Sequence, residues 1–384
     1  MSQGIPLSWL QLVHEKMKLL AAIAGVMVSV VLMWMQLGLM HALFASAVVF
    51  HNRVDGQLFV VHSQYESLLR SKHFSSRLLY RLNRGEGVID VFPISFGLAD
   101  WKNPWDGESK SIQVYAVETE HCCLNAPGVS ENLRALRDPD TFLFDQHARP
   151  GFGDVVGAFS RGEPLTTEIN RRKMHLRGIT ELGASFGVDG NLVTSQANFL
   201  RLFPQRKPGV IDVGIVRLSP DADLLKLQKE FQSLLGKEVK VITRDEFKAI
   251  ELKYWKTATP IGIIFSAGTV VGFFIGFIVV YQILYTDVTN HLPHYATMKA
   301  MGFSNSYLYR LVMGQSFYLA ALGFVPGTIV AAVMYHVLGK ATLLPLELSA
   351  PRGISLCIVT LLMCFVSGAL AMRKLAAADP ADVF

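Results

Sequence analysis

Charge is scarce in this sequence, and the familiar marks of enzyme chemistry are missing. Asp, Glu, Lys and Arg make up 17% of the 384 residues, against about 25% in an ordinary soluble domain. That deficit excludes a chain that is solvated throughout. No GxxxxGKS or GxxxxGKT phosphate loop is present, so the chain cannot bind and hydrolyse ATP in the P-loop manner. No HExxH zinc motif is present either. Cysteine is limited to four residues. Cys122 and Cys123 are adjacent and poorly placed to bridge each other. Cys357 and Cys364 fall in an apolar run, where small apolar packing suits them. One stretch matches a nucleophile elbow, Gly183-Ala184-Ser185-Phe186-Gly187. That motif needs a strand, a strained turn and a helix. Here a turn sequence and a short strand come next, so a glycine-rich β-turn is the better reading. His291 and His294 lie three apart, too few ligands for a metal site, and read as a solvated loop face. No metal or cofactor is expected on this chain, and no nucleic acid as a partner.

The apolar residues that remain are concentrated in four runs: 19–49, 259–285, 307–337 and 354–372. Each suffices for a spanning helix, which needs about 20 such residues. The first run is far longer than the ~7–15 residues of a secretory signal, so it reads as an uncleaved anchor. Pro326 inside the third run is tolerable in a membrane helix. No span carries a pair of acidic residues, and Gln36, His41 and Gln282 are the main polar interruptions. A proton-coupled carrier therefore has little support. Lys16, Lys18, Lys299, Arg310, Arg373 and Lys374 fall on one side of four alternating helices. Basic residues beside spans favour the cytoplasm, which places both termini there and the long insert outside.

The expected fold is a membrane protein with four transmembrane helices and a large α+β extracytoplasmic domain inserted between helices 1 and 2. Cytoplasmic segments cover 1–18, 286–306 and 373–384, and an outer loop covers 338–353. The insert, 50–258, shows two strand–helix–strand patterns. The first is Gly56–Ser63, an amphipathic helix Tyr65–Asn83, and Gly87–Phe96. The second is Val210–Leu218, Ala222–Leu235 and Lys237–Ile242. Two βαβ units separated by an insertion suggest a split, ferredoxin-like lobe over 50–100 and 209–243, with a mostly β lobe at 101–208. The segment 244–258 reads as a helix that runs straight into the second span as a stalk.

Two further patterns carry functional expectations. Gly268, Gly272 and Gly276 form a flat stripe on the second span that permits close packing, either within the chain or against a second copy. The 286–306 connection contains Pro293, suited to a first helical turn. It also has Gly302 before Phe303, as in a Schellman ending, and Ser304 to cap the next helix. A short helix lies across the membrane surface there, and a docking element for a cytoplasmic partner would need that definition.

The order of one span, a large exported domain and three spans resembles the permeases of the MacB/FtsX/LolC group of ABC systems. His294-Tyr295-Ala296-Thr297-Met298-Lys299-Ala300-Met301-Gly302 resembles that group's "EYATLKAMG" loop, and Asp379-Pro380-Ala381 its closing tail. Trp9-Leu10-Gln11-Leu12, Glu15-Lys16, Met35-Gln36-Leu37-Gly38, Trp101-Lys102-Asn103-Pro104, Leu182–Phe186 and Asp189-Gly190-Asn191-Leu192 are similar to the DevC permeases, typical of cyanobacteria, over essentially the whole chain. One departure is His294, where that family usually has an acidic residue. The resemblance implies a multi-pass permease subunit of the bacterial inner membrane that acts as a homodimer in the lipid bilayer. A separate ABC ATPase subunit would use ATP and Mg and contact Leu292, Pro293, His294, Tyr295, Met298, Lys299, Met301 and Gly302. Export of an amphiphilic cargo, glycolipid-like or other, would proceed through a membrane-fusion adaptor and an outer-membrane channel. The alternative within the group is a mechanotransducer that activates an envelope enzyme and moves no substrate.

Overall fold

The computed structural model describes residues 7–183, 185 and 187–377. It divides into two compact units. One is a membrane unit made of the chain up to Ala42, Ile261–Ala341 and the chain from Leu346. The other is a head comprising Leu43–Pro260 with Thr342–Pro345.

The head is built on eleven strands: β1 Leu58–His62, β2 Phe74–Ser75, β3 Val88–Lys102, β4 Ser109–Val117, β5 Thr141–Asp145, β6 Thr166–Ile169, β7 Arg172–Thr180, β8 Asn191–Ser195, β9 Val210–Ile211, β10 Val213–Leu218 and β11 Val239–Thr243. β2 and β9 form a small pair, and the other nine make one sheet in the order β11-β1-β10-β3-β4-β8-β5-β7-β6. In its first part, β10 lies antiparallel between β1 and β3, and β1 antiparallel between β10 and β11. This is the interleaving of two split βαβ units. Side chains alternate faces along a strand. Leu58 and Val60 accordingly enter one core with Phe231 and Leu235 of the helix Leu224–Leu235, while Phe59 and Val61 enter the other with Tyr65 and Phe247. Asp223 caps that helix by accepting from the amides of Leu225 and Lys226.

Two expectations for the head need correction. No single helix covers 65–83. The chain turns at Tyr65–Arg70, adds β2, and then forms a helix Ser76–Tyr80 and a 3-10 turn Arg81–Arg84. The leucines have helical spacing, but Tyr65 and Leu68 serve one core and Leu79 and Leu82 the other. One helix face cannot do both. The division placed at residue 100 also falls inside an unbroken strand. β3 pairs with β10 over its first half and with β4 over its second, so the two lobes share it. The second lobe curls until β6 returns to β3 at Trp101 and Lys102, around a core of Trp101, Phe142, Phe144 and Phe152.

The stalk helix, Arg244–Thr257, starts with a reciprocal capping box between Thr243 and Glu246, which satisfies two free helix-end donors. It does not run straight into the second span. The helix ends at Thr257 and the next begins at Ile261. Pro260 lies between, and a proline disfavours helical geometry at the residue before it.

Among the described residues the membrane unit holds four helices long and apolar enough to cross a membrane: Lys16–Ala47, Ile261–Asn290, Asn305–Thr342 and Ala350–Arg373. The last continues as helix to Ala377. They overrun the apolar runs because backbone bonding continues into the polar flanks, so the second span reaches five residues past Tyr285. The glycine stripe packs within the chain. A Cβ at Gly272 would lie 3.3 Å from Leu32 and Met33, one at Gly276 would press on Ser29 and Met363, and one at Gly268 would meet only the end of Gln36. The Ser29 hydroxyl donates to the Gly272 carbonyl at 2.6 Å. On the other side, Gly323 and Gly327 of the third span, flanking Pro326, lie against Val26 and Val30. Trp34 donates to Thr328 at 3.2 Å, and the Tyr335 hydroxyl donates to the Trp34 carbonyl. Small residues that admit close backbones, and hydrogen bonds across helices, are what hold helices together in lipid.

Gly276→Leu is expected to cost roughly 1–3 kcal/mol by overpacking, because Ser29 and Met363 cannot both retreat. Gly268→Leu should cost much less, since the flexible end of Gln36 can. Thermal unfolding of the two variants in detergent tests this, and equal losses would remove the stripe from the packing argument.

Candidate functional site

Between the second and third spans lies a nine-residue helix, Leu292–Ala300, with Pro293 in its first turn. Its end is a complete Schellman motif: Phe303 N–H donates to the Met298 carbonyl at 3.1 Å and Gly302 N–H to the Lys299 carbonyl at 3.0 Å. Gly302 has φ 94°, a conformation glycine adopts without penalty. The Ser304 carbonyl accepts from Tyr307 and Leu308 and opens the third span. The helix is therefore tied at both ends and is not a slack linker.

Its faces divide sharply. Tyr295 is 1% exposed, packed with Val288, Leu308, Leu311, Val312 and Met372, and Met298 rests partly on the same cluster. These two residues anchor the helix inward and do not form an outward docking face. The outward face presents Pro293, His294 and Thr297. Beyond it stand Met301 at 65%, Phe303 at 42% and Tyr307 at 40% exposure, with the last two rings 5.0 Å apart. Sequence patterns do not single out Phe303 and Tyr307, because the first reads as a helix stop and the second as the edge of a span. Leu292 and Lys299 are half-buried. His291 is not a solvated loop residue, since its Nδ1 lies 3.3 Å from the Asp287 carboxylate.

The described residues around the elbow-like motif form a turn. Ser185 bridges to Val188, and the buried Asp145 carboxylate holds the turn by accepting from the amides of Leu182 and Gly183 and from Asn191. Ala184 and Phe186 lie outside the described residues. So do 378–384, which contain the tail motif. Among the described residues no cluster could hold a metal ion, and the four cysteines are free thiols.

Within the head, the two segments leading toward the spans meet at a buried polar joint. Glu251 on the stalk helix and His51 on the helix Val49–Arg53 are both buried, 3.7 Å apart. Glu251 accepts from Leu68 N–H at 2.9 Å, Trp255 Nε1 at 3.0 Å and the Tyr65 hydroxyl at 3.3 Å. Burial outweighs those bonds and pushes its carboxyl up to about 7. Burial, then Lys248, pushes His51 down to about 3. Phe247 stacks over His51 with ring centroids 4.2 Å apart. The Asp145-held turn reaches the same joint, where Gly187 lies against Trp255 and Leu69, and Gly183 against Val49.

Four apolar helices long enough to span, with an anchored surface helix between the second and third, define a multi-pass membrane protein. Residues 262–380 match the model of the FtsX-like permease C-terminal region, so this part of the chain is similar to that domain. The periplasmic region of MacB from Actinobacillus actinomycetemcomitans is similar at 13% identity and a TM-score of 0.36, covering 52% of this chain and 94% of that one. The extracellular domain of the noncanonic ABC-type transporter YknZ from Gram-positive bacteria is similar at 12% identity and a TM-score of 0.34, covering 49% and 99%. At such scores neither likeness carries weight beside the match over 262–380. No curated protein matches the sequence.

The joint predicts a pH signature. With its pKa raised, Glu251 keeps in the folded state a proton that the unfolded chain releases above its ordinary 4.5. Its contribution is therefore present below that value and lost as pH rises to about 7. With its pKa lowered, His51 costs stability as pH falls below its ordinary 6.5. Between 4.5 and 6.5 the two oppose each other. Relative to the unaltered chain, Glu251→Gln should make stability rise with pH across that window and His51→Phe should make it fall, each by about 1 kcal/mol per pH unit. Melting temperatures of the full chain against pH decide it, and parallel curves for all three proteins would refute it.

Proposed function

We propose that the chain is the permease subunit of an ABC-type exporter, driven by ATP hydrolysis in a separate ATPase subunit, with two permease copies in the assembly. The carrying observation is the helix Leu292–Ala300, anchored inward by Tyr295 and followed by the exposed apolar group Met301, Phe303 and Tyr307. An anchored helix transmits a push to the spans it joins, whereas a slack loop would absorb it. An exposed apolar group beside it supplies what a protein partner buries at the core of an interface. The family match over 262–380 supports the same reading.

In this reading the short helix faces the cytoplasm and docks the ATPase. ATP-driven closure of two ATPase copies displaces the helix and with it the second and third spans. The motion reaches the head through the chain segments on either side of the His51–Glu251 joint. The head then drives an amphiphilic cargo into a membrane-fusion adaptor and an outer-membrane channel. ATP and Mg belong to the ATPase.

Met301→Asp combined with Phe303→Asp should lower ATPase stimulation by the permease roughly tenfold, equivalent to about 1.4 kcal/mol of docking energy. Membrane insertion should be retained, because both side chains point away from the bundle. Stimulation is measured in nanodiscs with the partner ATPase at sub-saturating concentration, and an unchanged value removes this face from docking. Purification of the intact complex separates the roles: an adaptor supports export, whereas an envelope hydrolase without an adaptor overturns it.

A further inference from the structure

A fully buried glutamine sits in the third span where an apolar residue would pack without cost. Gln315 is 0% exposed. Its Nε2 donates at 3.1 Å to Oδ2 of Asp287, in the last turn of the second span, and lies 3.4 Å from Oε1 of Gln11, on the helix Leu7–His14 that precedes the first span. The other oxygen of Asp287 lies 3.3 Å from His291 Nδ1. His291 is the residue just before the short helix, and its carbonyl accepts the Tyr295 amide at 3.0 Å. An unbroken polar chain thus runs from Gln11 through Gln315, Asp287 and His291 to the residue that anchors the short helix.

We propose that Gln315 is a positioning residue, a latch that fixes the short helix relative to the segment preceding the first span. This rests on reading Leu292–Ala300 as the helix that docks the ATPase. Three observations favour a latch over packing alone. Gln315 joins segments from the beginning of the chain and from both spans that flank the short helix, so its carboxamide senses any relative movement among them. Its own Oε1 has no hydrogen-bond partner among the described residues, and neither does the buried hydroxyl of Tyr295 in the same region. Buried unsatisfied groups are costly and uncommon, and a side chain kept only for packing would not retain one. Asp287 finally stands between Gln315 and His291, so one carboxylate carries both links, and loss of either partner frees the end of the second span.

The test uses the full chain in nanodiscs, with spin-labelled unnatural amino acids at His14 and His294, both exposed, so that the native cysteines stay in place. The distance between the labels should form one narrow population in the unaltered protein. Gln315→Leu should broaden it into more than one population, while the melting temperature holds or rises because an unsatisfied carbonyl has been replaced by an apolar group. A narrow, unchanged distribution overturns the latch. Broadening accompanied by a fall in melting temperature also overturns it, since Gln315 would then serve general packing. If Gln315→Leu does not fold, Gln11→Leu, on a half-buried position, gives the same readouts. ATPase stimulation separates the two proposals: broadened distances with full stimulation leave the latch standing and remove the docking role from the short helix.

Discussion

The membrane unit depends on one long-range closure: the first span must recover its place among three helices that come more than 200 residues later. The Ser29–Gly272 bond joins residues 243 apart in sequence. Lipid supplies no hydrophobic drive for this, because a leucine-rich helix is as well solvated by acyl chains as by another helix. What remains is close approach and hydrogen bonding. The sequence supplies glycines on both neighbours, with Gly272 and Gly276 of the second span on one side and Gly323 and Gly327 of the third on the other. It also supplies polar groups that act across helices at Ser29, Trp34 and Tyr335. Pro326 fits this arrangement, lying between two glycines that already hold the backbone against Val26 and Val30.

From that closure the ends of the bundle acquire their character. Once the first span is seated, the residues before it stand beside the ends of the second and third, and polar side chains from all three segments converge. Gln11, Asp287 and Gln315 could not have been grouped from sequence, because they are scattered over 304 positions and none falls in a motif. The short helix was legible for the opposite reason. Its proline, its glycine and the apolar residue after it are local signals with local causes, and the backbone bonds they predict are present. Which side of it faces inward was not legible. In nine residues the polar and apolar positions do not separate cleanly, and burial of Tyr295 is decided by Val288, Leu308 and Val312 from the flanking spans.

The head shows the same division between local and distant causes. The four strands of its first lobe could be located from hydrophobic runs and turn residues, since each strand is a continuous local signal. The helix expected over 65–83 fails because periodicity reports that apolar residues recur, not which core they enter. Tyr65 and Leu79 are drawn to opposite faces of one sheet, and that conflict breaks the helix. β3 is also longer than its hydrophobic run, because pairing with β4 extends it through Asp100 and Lys102, residues no propensity would assign to a strand.

At the His51–Glu251 joint the segment that follows the first span meets the stalk helix. Only two segments lead from the strands of the head to the first and second spans, and these two residues lie one on each. A buried carboxylate with a raised pKa is a costly way to join two helices, since an apolar pair of similar volume would be equally or more stabilising. What it adds is directionality. Glu251 accepts from Leu68 N–H and the Tyr65 hydroxyl as well as from Trp255 on its own helix, so the stalk helix cannot rotate or slide past the 65–68 segment without breaking hydrogen bonds in a dry site, where unpaired groups are expensive. Apolar contacts would let it slip. The stalk helix is therefore fixed against the 65–68 segment by hydrogen bonds and against the β lobe by packing, since the Asp145-held turn abuts Trp255, while the His51 ring meets Glu251 without a hydrogen bond of its own among the described residues.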